Sequence, residues 1–221
     1  KSMIFKILRK LKQSCLAWSL CFAGLFGLNV QLHAAPQLQG YVMQVQLTPA
    51  VCALDSSKQK QRKCLEGYSL TITGLLPETT ERNCTTNTSA SLTPLQAKVV
   101  ARVMPEENAR IQLWRSVGGC VPMNASQYFR TVINLADRLK IPADLTSSEN
   151  KNVQHNALKT QFVRLNPGMN NDSIRFTCQS SSSNPVLTEV QVCYRVNGQY
   201  KQCSNHIVSN CPNTFSIKGT Y

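Results

Sequence analysis

Few side chains in this chain could carry out chemistry near neutral pH. Of the chain's 3 histidines, only His155 and His206 lie beyond residue 34. Histidine is the usual proton donor or acceptor in this pH range, but we predict that both are ordinary surface residues. Arg110 and Arg115 could hold a phosphate group, because a guanidinium pairs well with phosphate oxygens. These residues indicate anion binding more than catalysis.

The other reactive side chains are cysteines. Eight follow residue 34: Cys52, Cys64, Cys84, Cys120, Cys178, Cys193, Cys203 and Cys211. An even number behind an export signal predicts four disulfides, and spacing alone allows 105 pairings. A zinc site is not expected because the sequence contains no CxxC motif and no cluster of His with Cys. We predict no metal and no cofactor.

Two short segments carry a recognisable pattern. Gly67–Pro77 reads GYSLTITGLLP, and Gln112–Cys120 reads QLWRSVGGC. They resemble the two active-site segments of the ribonuclease T2 family, roughly GYSLTIHGLWP and HEWxKHGTC. Gln44–Cys52 resembles the family's opening strand, and Val103–Gly119 resembles its bacterial branch. Together with cysteine-bearing segments near the end, the resemblance extends over the whole chain after residue 34.

The resemblance also indicates which chemistry is missing. Ribonucleases of this family cleave RNA without a metal: a 2′-hydroxyl attacks the adjacent phosphate, histidines transfer the protons, and Glu and Lys stabilise the charge. Here Thr73 stands at the first catalytic His. Gln112 and Leu113 replace His-Glu, and Ser116 and Val117 replace Lys-His. The resemblance therefore implies that no catalytic residue is left at these degenerate positions.

The positions that would bind the bases differ as well. Leu47 and Leu76 stand where the family pattern has tryptophans, which removes surfaces on which a base could stack. The candidate ligand-binding residues that remain are Arg110, Arg115, Tyr68 and Trp114. The resemblance further implies the disulfide pairing Cys52–Cys64, Cys84–Cys120, Cys178–Cys211 and Cys193–Cys203.

Local patterns predict the elements that position these residues. Tyr41–Leu47 and Tyr68–Ile72 are expected to be strands. Thr93 begins a helix with a capping box closed by Gln96, whose apolar face would be Leu95, Val99 and Val103. A second helix is expected over Gln127–Lys140, with Tyr128, Val132, Leu135 and Leu139 on one face.

The remainder adds a third helix over Asn152–Val163 and three late strands. These are Ser173–Cys178, Glu189–Val196 and Gln199–Cys203, the last two joined by a turn at Asn197-Gly198. Strands at both ends with helices between them predict an α+β domain, an antiparallel β-sheet with several flanking helices, ribonuclease T2-like and stapled by disulfides.

The first 34 residues are predicted to be a signal peptide. They combine a basic start without an acid, an apolar run over Cys15–Leu28 and a cleavage site at Ala34/Ala35. The domain would then be residues 35–221, with no stable membrane span after processing, exported to a bacterial periplasm or to the medium. It keeps 19 Lys and Arg against 11 Asp and Glu, a net charge of +8.

This charge favours RNA, an anionic lipid or an acidic protein as partner, and the Lys58–Lys63 cluster is its densest part. We predict an exported, non-catalytic member of the family that binds RNA, weakly and with little sequence preference, or an acidic protein. The alternative is a weakly active endoribonuclease that makes 2′,3′-cyclic phosphates with a rearranged site. A stable remnant with little role stays open, and so does the oligomeric state.

Overall fold

The structure, a computed structural model, describes residues 37–180 and 184–220. The predicted signal peptide lies outside them. Within them the chain forms one six-stranded, mostly antiparallel sheet, in which β1 lies between β2 and β5, and β4 also pairs with β5. Its strands are β1 (Gly40–Leu47), β2 (Leu70–Glu78), β3 (Lys151–Gln154), β4 (Ile174–Ser180), β5 (Pro185–Tyr194) and β6 (Thr214–Ile217). Strand β6 joins β5 through one parallel pair, Val186 with Ser216, and pairs with β3 on its other side.

Helices pack against this sheet. They are α1 (Thr48–Leu54), α2 (Arg62–Leu65), α3 (Pro94–Val100), α4 (Glu107–Val117), α5 (Ala125–Arg138) and α6 (His155–Leu165). The architecture confirms the predicted α+β class with an antiparallel sheet and flanking helices.

Capping and periodicity explain the longest helix. Asn124 Oδ1 accepts a hydrogen bond from Gln127 N at 2.9 Å, and the Gln127 side chain accepts one from Asn124 N at 3.0 Å. This reciprocal capping box satisfies two N–H groups that the first turn cannot pair internally. The face predicted for α5, from Tyr128 to Leu139, is buried, which confirms the periodic pattern.

Helix α3 has the predicted capping box at Thr93 and Gln96, and Val103 of the predicted apolar face packs against the core, but the prediction is wrong for Leu95. Leu95 is 73% exposed, and Val100 is the buried residue of this helix. Seven residues make only two turns, so the packing of one side chain at the helix end determines which way the helix faces.

Two further element predictions need correction. The helix predicted from Asn152 begins only at His155, because Lys151–Gln154 pairs with β6 as a strand. The strand predicted over Gln199–Cys203 is reduced to one bridge between Tyr194 and Tyr200. Cys203 N instead donates to Asp172 O at 2.8 Å, which takes this segment away from the sheet.

All four disulfides pair as the family resemblance implies. They are Cys52–Cys64, Cys84–Cys120, Cys178–Cys211 and Cys193–Cys203. Cys84–Cys120 joins the irregular segment between β2 and α3 to the end of α4, and Cys193–Cys203 closes the turn after β5.

A buried tyrosine connects the sheet to the helices. The Tyr128 hydroxyl on α5 donates to Leu75 O at 2.8 Å and accepts from Leu75 N at 3.3 Å. It thereby satisfies both backbone groups of a residue on β2, at the edge of the sheet. The ring packs against Trp114, with 5.7 Å between the ring centroids, so the same residue also fixes α4.

We expect Tyr128→Phe to lower the free energy of unfolding by about 1–3 kcal/mol, because it leaves a buried N–H and a buried C=O without a partner. Urea denaturation measures this change. Tyr68→Phe, which removes a partly buried hydroxyl that donates to Ala101 O, is the control and should have a smaller effect. An equal loss in the two variants would contradict the role given to Tyr128.

Candidate functional site

The two segments that carry the family pattern lie on neighbouring elements. Gly67–Pro77 leads into β2 and runs along it, while Gln112–Cys120 occupies the second half of α4 and the 3-10 turn after it. Ile72 N on β2 donates to Val103 O at 2.8 Å, just before α4 begins. This bond helps to hold the two segments beside each other.

Thr73 occupies an irregular position in β2. Gln44 on β1 pairs with Gly74 and Val45 pairs with Ile72, so Thr73 is the extra residue of a β-bulge. Bulges re-aim a side chain and often lie next to active sites. The Thr73 hydroxyl is buried and has no hydrogen-bond partner in the part of the chain that the structure describes.

Beside this hydroxyl is a cavity of about 70 Å³, here called the Thr73 cavity, whose lining includes Lys63, Thr73, Met104 and Glu106. Lys63 Nζ donates to Gln46 Oε1 at 2.6 Å, and Lys63 N donates to Glu106 Oε1 at 3.0 Å. Burial lowers the pKa of the Lys63 ammonium below its ordinary value, and Lys58 lowers it further. Sequence reasoning missed this pair, because Lys63 looked like one member of a solvated basic cluster.

The other four degenerate positions lie apart from this cavity. None of them is among the residues that line it. Leu113 and Val117 are 9% and 4% exposed and belong to the hydrophobic core. Gln112 and Ser116 are exposed, and Ser116 Oγ donates to the helix carbonyl of Leu113 at 2.7 Å. The segment thus supplies core packing on one side and neutral polar groups on the other.

Trp114 and the glycines after α4 have visible structural tasks. Trp114 is 2% exposed, and its Nε1 donates to Thr88 O at 3.2 Å. A Cβ on Gly118 would lie 2.5 Å from Thr86 Cγ2, and one on Gly119 would lie 2.5 Å from Thr85 O. Both glycines therefore permit a close approach of the segment that Cys84 anchors. Little of the Trp114 ring is left for a ligand, and its binding role stays a prediction.

Tyr68 and Arg110 lie together in a basic groove, the name used below for a depression of about 420 Å³ lined by Arg62, Tyr68, Ala97, Lys98, Ala101, Arg102 and Arg110. The Tyr68 hydroxyl donates to Ala101 O at 3.1 Å, which fixes its ring. Arg110 is buried, and its Nη1 donates to Met104 O at 2.6 Å. Arg62 and Arg102 are exposed at the rim, and the Arg62 guanidinium is ion-paired with the Glu66 carboxylate.

The remaining candidates lie elsewhere. Arg115 is exposed and lines a neighbouring depression of about 370 Å³, which it shares with Arg110. His155 is partly buried against Phe176, with 5.1 Å between ring centroids, and His206 is exposed in a loop. The structure thus brings Tyr68 and Arg110 together, leaves Arg115 beside them, and places both histidines outside the Thr73 cavity.

Two further features concern metal binding and membrane insertion. Within residues 37–180 and 184–220 no group of three His, Cys, Asp or Glu side chains is placed to hold a metal ion. No helix in the same ranges is long and apolar enough to cross a membrane.

The fold and the paired segments define a disulfide-stapled α+β domain of the ribonuclease type. The family model "Ribonuclease T2 family" matches residues 39–205, and the chain belongs to that family. No curated protein matches it in sequence.

Solved structures agree with this assignment at the level of the fold. Ribonuclease MC1 from the seeds of bitter gourd is 19% identical, with a TM-score of 0.59, and covers 80% of this chain and 98% of its own. The self-incompatibility associated SF11-RNase of Nicotiana alata is 13% identical, with a TM-score of 0.64. The match covers 82% of this chain and 98% of the SF11-RNase chain. An RNase MC1 mutant, Y101A, solved in complex with 5′-UMP, is 16% identical, with a TM-score of 0.63. The match covers 80% of this chain and 97% of the mutant's chain.

Proposed function

We propose that this protein is an exported, non-catalytic member of the ribonuclease T2 family that binds RNA without cleaving it. The observation that carries the proposal is the contrast between two neighbouring places. The positions at which the family pattern has titrating residues hold Thr73, Leu113, Ser116 and Val117, while the basic groove beside them keeps its cations and a tyrosine. Binding and catalysis need different residues, and this contrast supports binding.

The basic groove suits a sequence-independent contact with single-stranded RNA. Its cations can neutralise backbone phosphates, which supplies most of the affinity in nonspecific binding. Tyr68 is the one aromatic side chain in its lining, so stacking contributes little and base preference should be weak. Relatives have been solved with 5′-UMP and with 5′-GMP, which supports a nucleotide-containing ligand.

Export is supported by the four disulfides. Such bonds form and persist in oxidising compartments and are rare in the cytosol. A periplasmic location and an extracellular one are both compatible with them, and fractionation of the native cells would distinguish the two.

The groove can be tested with Arg62→Gln/Arg102→Gln. We expect weaker binding of a labelled single-stranded RNA, because about two phosphate contacts are lost, and a fall of about 1.4 in the slope of log K against log salt. Fluorescence anisotropy at several salt concentrations measures both quantities.

Arg82→Gln/Lys218→Gln removes the same charge from exposed positions outside the groove and should change the slope little. Equal losses in the two double variants would mean that net charge, not this groove, governs binding. Tight RNA binding that hardly responds to salt would contradict the proposal.

A specific observation also supports a second candidate, weak endoribonuclease activity with a rearranged site. Lys63, with its lowered pKa, and Glu106 line the Thr73 cavity, so an amine and a carboxyl group lie beside the position at which the family pattern has a histidine. Against this candidate, Lys63 Nζ is already engaged by Gln46, and a cavity of about 70 Å³ is far smaller than the 300–1,000 Å³ typical of ligand sites.

A further inference from the structure

A further cavity lies away from both places described above. It has a volume of about 720 Å³ and is formed by the end of α5, the loop after α6 and the turn after β5. It is called the tyrosine pocket here, after Tyr194 and Tyr200 in its wall. This volume falls within the 300–1,000 Å³ range of small-molecule and cofactor sites.

Positive charge is concentrated at the pocket. Arg138, Lys140 and Arg195 line it, and no acidic residue does so among those the structure describes. Lys140 and Arg195 are exposed, and neither forms an ion pair within residues 37–180 and 184–220. Arg138 Nη2 donates to Gly198 O at 3.4 Å across the pocket edge. Three cations without a carboxylate make the pocket suited to an anion.

The wall is held in place by a buried amide. Asn166 is 2% exposed, and its Oδ1 accepts from Lys140 N at 2.8 Å and from the Tyr200 hydroxyl at 3.1 Å. Its Nδ2 donates to Lys140 O at 2.8 Å. The backbone of one cationic residue and the ring of one tyrosine are therefore fixed to the same side chain.

Tyr200 gives the pocket an apolar surface beside its charges, and the buried Tyr194 ring lies behind it. The Tyr194 and Tyr200 rings are stacked at a tilt, with 5.2 Å between their centroids, and Leu165 and Pro167 also line the pocket. A bare phosphate would leave this surface unused. A ligand with both a planar ring and a phosphate would use the whole pocket, since aromatic side chains stack nucleobases and cations bind phosphates.

The pocket is separate from the other sites. It shares no lining residue with the Thr73 cavity or the basic groove. Tyr194 pairs with Tyr41, and Tyr41 pairs with Pro77, four residues beyond Thr73 on β2. At about 3.3 Å per residue, the two sites are roughly 13 Å apart along the strand direction alone.

We propose that the tyrosine pocket is a second ligand site, which binds one nucleotide unit with its phosphate on Lys140, Arg138 and Arg195 and its base against Tyr200. The unit can come from a free mononucleotide or from one position of a single-stranded RNA, because both present the same chemistry. The inference does not rest on the proposed function, since the basic groove contributes no residue to it.

Isothermal titration with 5′-AMP, adenosine, inorganic phosphate and the trinucleotide ApApA tests the assignment. We expect native protein to bind 5′-AMP or ApApA at least tenfold more tightly than adenosine or phosphate. Lys140→Gln/Arg195→Gln should weaken that binding at least tenfold, and Tyr200→Leu should weaken the nucleotide but not phosphate. Binding of both 5′-AMP and ApApA indicates a free nucleotide as source, and binding of ApApA alone indicates RNA; either supports the site when Lys140→Gln/Arg195→Gln weakens it, and binding that this variant leaves unchanged belongs elsewhere and contradicts the assignment.

A control variant tests whether net charge alone accounts for the binding. Arg82→Gln/Lys218→Gln removes equal charge from exposed positions outside the tyrosine pocket, and 5′-AMP affinity should stay within twofold. Thermal unfolding of each variant checks that it is folded. Native protein that binds neither 5′-AMP nor ApApA, phosphate binding as tight as that of 5′-AMP, or undiminished binding by folded Lys140→Gln/Arg195→Gln would each overturn the assignment.

Discussion

Incubation of the purified, unmodified protein with RNA is expected to release no 2′,3′-cyclic phosphate above the level of a mock-purified control. Each general acid or base contributes about 10²–10⁴ to a rate, and the family pattern loses several such groups here at once. The Thr73 hydroxyl cannot replace an imidazole, because it does not ionise near neutrality. Detection of cyclic phosphates by chromatography measures the outcome, and a mock purification controls for host ribonuclease.

Restoring the family residues by substitution is a second test of the missing activity. Thr73→His, Leu113→Glu, Ser116→Lys and Val117→His together would restore four of the five family letters, but Leu113 and Val117 belong to the core. A charged group placed there without a partner is strongly unfavourable, so we expect the fourfold variant to lose several kcal/mol of stability and to cleave weakly at most. Thr73→His/Ser116→Lys, which spares the core, should remain folded and inactive.

Activity in the unmodified protein would contradict the non-catalytic proposal, provided that it disappears in a point variant. Lys63→Met and Glu106→Gln test the pair at the Thr73 cavity, while His155→Ala and His206→Ala test the two histidines. Loss in the first two variants would establish the rearranged endoribonuclease, and loss in either histidine variant would place the chemistry outside the cavity.

Removal of the Cys84–Cys120 disulfide by Cys84→Ala/Cys120→Ala is expected to lower the free energy of unfolding by about 4 kcal/mol. The two cysteines are 36 residues apart, so the bond restricts the unfolded chain over a long loop. It also anchors a segment that has neither helix nor strand: Thr86 N donates to Arg115 O at 2.9 Å, and Gly119 N donates to Cys84 O at 2.8 Å.

Cys193→Ala/Cys203→Ala is the matched comparison. Its cysteines are only 10 residues apart, for which the same relation gives about 3 kcal/mol. Urea denaturation of both variants measures the difference. A smaller loss for the longer loop would show that native packing, and not chain entropy, determines what each bond contributes.

The sequence was most informative where the apolar spacing was regular or the family resemblance was direct. The spacing from Tyr128 to Leu139 predicted α5, although not its capping box at Asn124, and the resemblance implied the disulfide pairs. The errors occurred where tertiary contacts decided. Lys151–Gln154 is a strand because β6 lies beside it, and no local pattern announces that partner.

The same contrast between local sequence patterns and tertiary contacts holds for the candidate site. The sequence identified Tyr68 and Arg110, which the fold brings into one groove, but it could not show that Arg62 and Arg102 join them. Nor could it show Glu106 beside Lys63, because these residues meet only after α2 and α4 pack together. The tyrosine pocket was missed entirely, since its three walls come from segments far apart in the chain.

The bulge at Thr73 has a consequence for how this chain can change over time. Residue 73 has no partner on β1, and its neighbours Ile72 and Gly74 keep the register on either side. The side chain there can be exchanged without altering which residues pair, so selection can act on reactivity at this position while the sheet is inherited unchanged. Substitutions at residue 73 can therefore change its reactivity without changing the strand pairing, and a reactive group can be lost there while the molecule still folds.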